Sequence, residues 1–354
     1  MKKVLLGMSG GVDSTVSALL LKEMEYEVTG VTMHLFDGGC CDLSSCLDAK
    51  ILCKQNGMEH VTLQYMDEFR ETIIKDFIDE YKNCLTPNPC ILCNKLFKFG
   101  LMYDFAKKNG IDYLATGHYA KVEFSEKYNR YVLRKSKNIQ KDQTYFLYYI
   151  PKDILQYVVF PLGDYENKEE VREIARKNNL SVASKRDSED ICFITNGNYK
   201  KFLEENSDIK PKPGNIVLKD GTVVGKHNGL YNYTIGQRKG LGVAYSEPLF
   251  VIDFDKDKNE VVVGTKEQIY SDEILVKDYN LLLVDDIKEE IKVNVKTRYS
   301  INESSASIVE IEKDGEKYIK VKFDEPVARI TPGQSAVFYI DDIVLGGGII
   351  CERN

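Results

Sequence analysis

The feature that most constrains the fold is an alternation of short apolar runs with segments of helical periodicity near the start of the chain. The run at 3–6 (KVLL) and the segment Val28–Phe36 have strand-like composition, and between them Ser14–Glu25 carries apolar residues at helical spacing. This is the pattern of a β-α-β unit, whose two strands lie parallel in one sheet. Ligands of such sheets bind at the carboxyl ends of the strands.

The alternation continues to about residue 116. A helix is predicted at Leu47–Gln55, entered through a Ser45-x-x-Asp48 capping pair, and a strand at His60–Tyr65. A long amphipathic helix over 69–81, a proline-interrupted loop, a helix from Asn94 and a strand at Asp112–Thr116 follow. The sequence therefore predicts an α/β fold with a doubly wound parallel sheet.

The pattern changes after about residue 205, where helical periodicity gives way to alternating segments between turns. The pair Asp314-Gly315 between two such segments is a strong hairpin signal. We expect three domains: an α/β domain at 1–205, a small middle domain at 206–275 and a C-terminal β-barrel or sandwich at 276–354. The predicted strands of the last two are Leu249–Phe254, Glu260–Val263, Ile291–Val295, Ser307–Ile311 and Tyr318–Phe323.

Charge and composition narrow the class of protein. With 48 Lys and Arg against 55 Asp and Glu, the net charge is −7, so a nucleic-acid site must be a local basic patch on an acidic protein. No apolar run has the length of a signal peptide core or of a membrane span, which predicts a cytoplasmic protein. Nine cysteines without a secretion signal indicate thiols used for chemistry or metal rather than a disulfide framework.

The glycine-rich loop GMSGGVDS at 7–14 joins the first strand to the first helix. Glycines let the backbone approach an anion, and the amides at a helix N-terminus bind phosphate. The loop lacks the Lys-Ser/Thr of a Walker loop and the GxGxxG of a dinucleotide fold. A tight glycine turn without a ligand is the alternative interpretation.

Two cysteines, Cys90 and Cys93, stand at CxxC spacing at the start of a predicted helix, where a thiol pKa is lowered. A third, Cys192, lies in the segment DSEDICFI at 187–194. By itself, Cys192 fits a buried structural thiol better than a reactive one. The spacing of Cys40, Cys41, Cys46 and Cys53 matches no common zinc pattern, which favours loop and packing roles for them.

Six motifs occur in order along the chain and together resemble one family. They are GMSGGVDS, TPNPCxxCN at 86–94 with KF at 98–99, ATGHYA at 115–120, KDQTYFL at 141–147, DSxxICFI at 187–194 and YTIGQRKGLG at 233–242. The first resembles the pyrophosphate loop of the ATP-pyrophosphatase superfamily, and the six together resemble the tRNA 2-thiouridylases. The resemblance implies sulfuration of carbon 2 of the wobble uridine in tRNA, with ATP adenylating the 2-oxygen first.

The resemblance assigns roles to the cysteines. Cys192 matches the cysteine that receives a persulfide from a donor, a cysteine desulfurase or a relay protein. Cys93 matches the thiol that attacks this persulfide, releases the sulfur and leaves a Cys93–Cys192 disulfide. Asn88, Pro89 and Cys90 match the segment that contacts the target base. Many members have Asp where this chain has Cys90, an acid–base role that a thiol fills poorly.

A rival chemistry follows from the same residues. Cys90, Cys93 and Cys192 form a three-thiolate set that could hold a [4Fe-4S] cluster with one iron open to bind sulfide. Two further hypotheses are an amidating ligase, for which the chain has no glutaminase signature, and a non-catalytic tRNA-binding iron–sulfur module. The intact SGGVDS loop argues against the latter, because binding without turnover needs no pyrophosphate site.

The resemblance also assigns the ATP and tRNA contacts. Those to ATP and Mg²⁺ are Gly7, Met8, Ser9, Gly10, Gly11, Val12, Asp13, Ser14, Met33 and Gly117. Those to tRNA are His118, Lys141, Asp142, Gln143, Arg298, Tyr299 and Gln334, with the basic turn Gln237-Arg238-Lys239-Gly240 as a further candidate. The alternatives are that Met33 only packs in the core and that His118 is a buried structural histidine. For the other tRNA contacts, the alternative is an exposed polar residue that binds nothing. Lys141, Arg238, Lys239 and Arg298 are expected to form the local basic surface.

Overall fold

A computed structural model describes residues 1–38, 42–184, 191–194 and 197–354. The N-terminal part contains a five-stranded parallel sheet in the order β3-β2-β1-β4-β7, with a hairpin, β5-β6, that belongs to another sheet. The strands are β1 (Lys3–Gly7), β2 (Glu27–His34), β3 (Glu59–Gln64), β4 (Tyr113–Ala115), β5 (Ala120–Ser125), β6 (Arg130–Lys135) and β7 (Val158–Val159). The predicted doubly wound parallel sheet is confirmed.

Helices cover both faces of this sheet. They are α1 (Val12–Glu23), α2 (Leu43–Gln55), α3 (66–82), α4 (89–108), α5 (Lys168–Lys177) and α6 (Tyr199–Asn206). Two of them contain π-helical stretches, Arg70–Ile74 in α3 and Asn94–Leu101 in α4. Short 3-10 turns lie at Thr144–Phe146, Leu155–Tyr157, Ser181–Ser184, Leu230–Asn232 and Lys266–Ile269.

The start of α2 differs from the prediction. The helix begins at Leu43, not Leu47, and its N-cap is Asp42, whose carboxylate accepts a hydrogen bond from the backbone N–H of Ser45 at 2.8 Å. The predicted Ser45-x-x-Asp48 capping pair is therefore wrong. Asp is as good an N-cap as Ser, and capping from Asp42 lets the helix gain one more turn.

The C-terminal half is built from two sheets. The middle sheet has the order β10-β11-β8-β9, and its strands are β8 (Gly214–Leu218), β9 (Val223–His227), β10 (Phe250–Asp255) and β11 (Glu260–Gly264). The second sheet closes on itself through the pairing of β12 with β17. Its strands are β12 (Tyr270–Leu281), β13 (Ile291–Lys296), β14 (Ser304–Lys313), β15 (Glu316–Ala328), β16 (Ser335–Ile340) and β17 (Ile343–Arg353).

This closed sheet is a six-stranded barrel, as predicted. Its interior is apolar and includes Val293, Ile308, Val321 and Phe338, each less than 10% exposed. The turn between β14 and β15 consists of Asp314 and Gly315, with φ of 55° and 78°. Positive φ at both central residues is the hairpin geometry that the Asp-Gly pair predicts.

The N-terminal part and the barrel share one interface. The hairpin β5-β6 adds to the edge of β17, where Arg134 pairs with Asp342 through two hydrogen bonds of 2.8 and 2.9 Å. The hydroxyl groups of Tyr145 and Tyr148, both fully buried, bond to Ser335 at the start of β16. The sequence analysis did not predict this hairpin.

Within the described residues, no helix combines the length and the apolar composition that crossing a membrane requires.

The buried charges at this interface lead to a stability prediction. Asp142 accepts hydrogen bonds from Ser136 N and Thr144 Oγ1 and lies 3.7 Å from the buried ammonium group of Lys296. Asp142→Ala is expected to lower the free energy of unfolding by about 3 kcal/mol, because it leaves Lys296 with Glu303 as its remaining carboxylate partner.

Urea unfolding followed by circular dichroism measures this change. Asp153→Ala is the matched control, because Asp153 is exposed and should change stability by less than about 0.5 kcal/mol. Equal stability of the Asp142→Ala variant and the unsubstituted protein would contradict the structural role.

Candidate active site

One cavity of about 310 Å³ opens at the carboxyl ends of β1, β2 and β4. It lies where the strand order reverses: β2 and β3 extend the sheet on one side of β1, and β4 and β7 extend it on the other. The predicted site residues that line it are Gly7, Met8, Ser9, Asp13, Ser14, Met33, Pro89, Cys90, Cys93, Gly117, His118, Gln143 and Cys192. Residues from six separate stretches of the sequence therefore meet in one place.

The glycine loop is a compact turn at the N-terminus of α1. Gly10 has a φ of 66°, and Ser14 Oγ lies 3.3 Å from both the backbone nitrogen and the hydroxyl of Ser9. The N-cap residue is Gly11, which has no side chain to cover the first amides of the helix. The loop thus presents backbone N–H groups and two hydroxyls, a donor set suited to an anion.

Residues at the ends of the neighbouring strands β2 and β4 hold this loop in place. The hydroxyl of Thr32 donates to the carbonyl oxygen of Met8 at 2.7 Å and lies 2.9 Å from His60 Nε2. On the other side, a Cβ at Gly117 would come within 3.0 Å of the backbone of Asp13 and Ser14. Position 117 must therefore be glycine for the end of β4 to approach the loop this closely.

Asp13 is engaged by two residues that the sequence analysis did not identify. Lys168 Nζ contacts both carboxylate oxygens, at 2.5 and 2.6 Å, and Tyr119 donates its hydroxyl to Oδ1 at 2.9 Å. Lys168 is the first residue of α5, 155 positions from Asp13. No local motif links them, although Tyr119 lies in the quoted ATGHYA segment.

Cys90 and Cys93 lie in the first turn of α4, and both line the same cavity as Cys192. Cys90 is exposed, while Cys93 and Cys192 are half-buried. The preceding motif residues 187–190 lie outside the described residues. The structure thus brings together the two thiols that the resemblance pairs.

The iron–sulfur hypothesis gains no support from this arrangement. Across 1–38, 42–184, 191–194 and 197–354, no three His, Cys, Asp or Glu side chains form a group that could hold a metal ion, Cys90, Cys93 and Cys192 included.

Cys46 and Cys53 are buried in α2, which favours the predicted packing role over zinc binding. Burial raises the pKa of the Cys53 thiol to about 11, so this thiol stays protonated at neutral pH. Cys40 and Cys41 lie outside the described residues.

His118 lines the cavity next to Gly117. Its Nδ1 is 2.7 Å from Thr116 Oγ1, and its ring lies between Phe99 and Phe160. Burial, and to a lesser extent the charge of Lys98, hold the pKa of His118 well below its usual value. The imidazole is therefore neutral at physiological pH and can form a hydrogen bond but no ion pair with a phosphate.

The residues of the segment Lys141–Gln143 have different environments. The side chain of Asp142 is buried and used internally, so the structure does not present it to a tRNA. Gln143 lines the cavity while its Oε1 accepts a hydrogen bond from Tyr119 N at 3.0 Å. Lys141 and Gln143 are the residues of this segment that remain candidates for tRNA contact.

The barrel residues predicted to bind tRNA lie outside the cavity. Arg298 and Tyr299 are exposed, and the ring of Tyr299 packs against Phe146 with centroids 4.6 Å apart. Gln334 donates its side-chain N–H to the carbonyl oxygen of Thr86 at 2.8 Å, two residues before Asn88. Gln334 therefore also holds the loop that leads to the cysteines.

In the middle domain, the side chain of Gln237 is used within its own turn, where it bonds to Thr234 N and to the carbonyl oxygen of Lys239. Arg238 and Lys239 are exposed. These two remain the surface cations of this turn.

Three family models match successive parts of the chain. They are described as a tRNA methyl transferase HUP domain at 2–196, a tRNA methyl transferase PRC-barrel domain at 200–265 and an aminomethyltransferase beta-barrel domain at 271–350.

Full-length relatives give a more specific name than these domain descriptions. Proteins named tRNA-specific 2-thiouridylase MnmA from Acetivibrio thermocellus and Clostridioides difficile are each 45% identical to this chain; both alignments cover 99% of it, and 99% and 98% of the relative. A protein named tRNA-specific 2-thiouridylase MnmA 1 from Clostridium botulinum strain Loch Maree is 46% identical, with 99% of each chain covered. This chain therefore belongs to the tRNA-specific 2-thiouridylase family.

Proposed function

We propose that this protein is an ATP-dependent sulfurtransferase that converts the wobble uridine of certain tRNAs to 2-thiouridine. The observation that carries the proposal is that the SGGVDS loop and the thiols Cys93 and Cys192 line one cavity. We infer that residues 1–205 perform the chemistry and that 206–275 and 276–354 help to hold the tRNA. ATP and tRNA as substrates imply a cytoplasmic location.

In the first step, the 2-oxygen of uridine attacks the α-phosphorus of ATP. The bond from this phosphorus to the bridging oxygen breaks, and pyrophosphate leaves into the loop formed by Ser9, Gly10, Gly11 and Ser14. This step is needed because a carbonyl oxygen is a poor leaving group, whereas AMP is a good one. Met33 and Gly117 flank the space for the nucleoside at the ends of β2 and β4.

In the second step, sulfur replaces the adenylated oxygen at C2. A donor first transfers sulfur to Cys192 as a persulfide, and the thiolate of Cys93 attacks the inner sulfur of that persulfide. The terminal sulfur leaves and attacks C2, AMP departs with the former 2-oxygen, and a Cys93–Cys192 disulfide remains. An external thiol must reduce this disulfide before the next turnover.

Mg²⁺ fits the acidic end of the loop. Asp13 and Ser14 would hold it together with phosphate oxygens, and the ion would supply charge neutralisation between Asp13 and the phosphates. Lys168 already neutralises Asp13 in this structure, at 2.5 Å. This contact holds the carboxylate in place at the loop before a ligand arrives.

The surface around the cavity supports tRNA binding. Arg298 and Tyr299 are adjacent and exposed, which suits a phosphate contact beside a stacking contact. His118 is neutral and faces the cavity with Gln143, which suits hydrogen bonds to a splayed base. We propose Asn88, Pro89 and Cys90 as the contact to that base.

The phosphate loop provides the first functional test. Asp13→Asn is expected to lower tRNA-dependent AMP formation at least about 100-fold, because it removes the charge that holds Mg²⁺ and Lys168 at the loop. Radiolabelled ATP and thin-layer chromatography measure the product. Glu23→Gln, an exposed acid at the end of the same helix, is the control. An AMP yield equal to that of the unsubstituted protein would rule out the role of Asp13.

The cysteines provide the second test. Cys93→Ser and Cys192→Ser are each expected to abolish 2-thiouridine, measured by mass spectrometry of digested tRNA, while pyrophosphate release persists, because only the sulfur step needs the thiols. Cys90→Ser should keep measurable thiolation, since only a base contact changes. Cys351→Ser, in the barrel, is the matched control. Thiolation by a Cys93→Ser variant would refute the two-thiol scheme.

The exposed pair on the barrel provides the third test. tRNA affinity should fall as the salt concentration rises. Arg298→Ala should reduce the slope of the logarithm of the binding constant against the logarithm of the salt concentration by the amount expected for about one phosphate contact. Tyr299→Ala should weaken binding by about 1–3 kcal/mol through the loss of base stacking, with little change in slope. Filter binding at several salt concentrations distinguishes the two. A slope unaffected by Arg298→Ala would place the phosphate contact elsewhere.

A further inference from the structure

A lysine that has no role in the steps described above lines the same cavity as the thiols. Lys98 lies on α4, five residues after Cys93, and its half-buried side chain lines the cavity together with Met102 and Gly117. Among the residues that the structure describes, it is the only lysine or arginine that does so.

The irregular winding of α4 places Lys98 there. In a regular α-helix each residue turns 100°, so a residue five positions after Cys93 would point about 140° away from it. The stretch Asn94–Leu101 is π-helical, with hydrogen bonds that span five residues, so the fifth residue returns to the same face. Phe97 and Phe99, on either side of Lys98, are consequently buried in the core.

Among the described residues, no negative charge of the cavity is paired with the positive charge of Lys98. Asp13 is already paired with Lys168, so these two charges cancel. His118, which lines the cavity together with Lys98, is neutral because burial lowers its pKa. Over the described stretches, the ammonium group of Lys98 has no carboxylate within 4.0 Å. The cavity beside Gly117 and His118 is therefore suited to an anion.

We propose that Lys98 binds the α-phosphate of ATP and stays on it through both chemical steps, an inference that rests on the proposed function. When the uridine 2-oxygen attacks the α-phosphorus and pyrophosphate leaves, negative charge builds on the α-phosphate oxygens. When sulfur later attacks C2, the C2–O bond breaks and AMP leaves as an anion. A fixed ammonium group stabilises both changes more than it stabilises the bound substrates, so Lys98 is a catalytic residue.

The alternative for Lys98 is activation of a thiolate, because it shares a helix with Cys93. The two roles differ in the step that they affect. A phosphate contact acts on pyrophosphate release and on AMP binding, whereas thiolate activation acts only on sulfur transfer.

The first experiment uses binding alone and does not depend on tRNA thiolation. AMP and adenosine differ only in the α-phosphate, so the ratio of their dissociation constants reports the contacts of that group. Isothermal titration of the full chain should give a preference for AMP that falls about tenfold or more in Lys98→Met and largely persists in Lys98→Arg. Lys108→Met, an exposed lysine at the end of the same helix, should leave the ratio unchanged.

The second experiment follows the reaction. In a single turnover with tRNA, Lys98→Met should release pyrophosphate about 100-fold more slowly than the unsubstituted protein, with Lys98→Arg intermediate. Lys98→Gln provides a second neutral variant of similar length if Lys98→Met does not fold, as judged by circular dichroism.

An unchanged AMP-to-adenosine ratio in a folded neutral variant overturns the proposal, as does a loss confined to thiouridine formation with normal pyrophosphate release. If the unsubstituted protein binds AMP through Lys98 yet makes no 2-thiouridine with a persulfide donor, the proposed function fails while the phosphate contact stands.

Discussion

The active site depends on the point where the strand order of the parallel sheet reverses. β1 has β2 on one side and β4 on the other, and the cavity opens at the carboxyl ends of these three strands, where sheets of this kind bind ligands. The SGGVDS loop enters this crevice and Gly117 closes it from the β4 side, where a Cβ would meet the backbone of Asp13 and Ser14 at 3.0 Å. Every other part of the site is arranged around this contact.

The barrel takes part in the site although none of its described residues lines the cavity. Its turn at 331–334 holds Thr86 on both sides: Thr86 N donates to Pro332 O at 3.1 Å, and Gln334 donates to Thr86 O at 2.8 Å. A Cβ at Gly333 would lie 2.8 Å from Thr86 N. The loop that leads into α4 is thus fixed by a domain that also presents Arg298 and Tyr299 to solvent.

Individual charged side chains have distinct roles in this acidic protein. Two ion pairs fulfil structural tasks: Asp13–Lys168 orders the loop, and Asp142–Lys296 lies buried between the N-terminal part and the barrel. Removing these charges from water has a cost that is offset by hydrogen bonds, as at Asp142, which accepts two. Lys98 has no such carboxylate partner in the described stretches. Lys168 and Lys296 therefore order the fold, whereas Lys98 is available to a substrate.

The sequence by itself determined the parallel sheet, the glycine loop at its edge, the barrel hairpin at Asp314-Gly315 and the thiols of the site, because each follows from periodicity, turn chemistry or a motif within a short stretch. Tertiary structure decided what depends on distant residues. Lys168 reaches Asp13 across 155 positions, burial turns Asp142 from a surface contact into an interface anchor, and the π-helical stretch of α4 aims Lys98 at the cavity. Local patterns record which residues can form an element, whereas burial, pairing and the winding of a packed helix are set by neighbours that only the folded chain brings together.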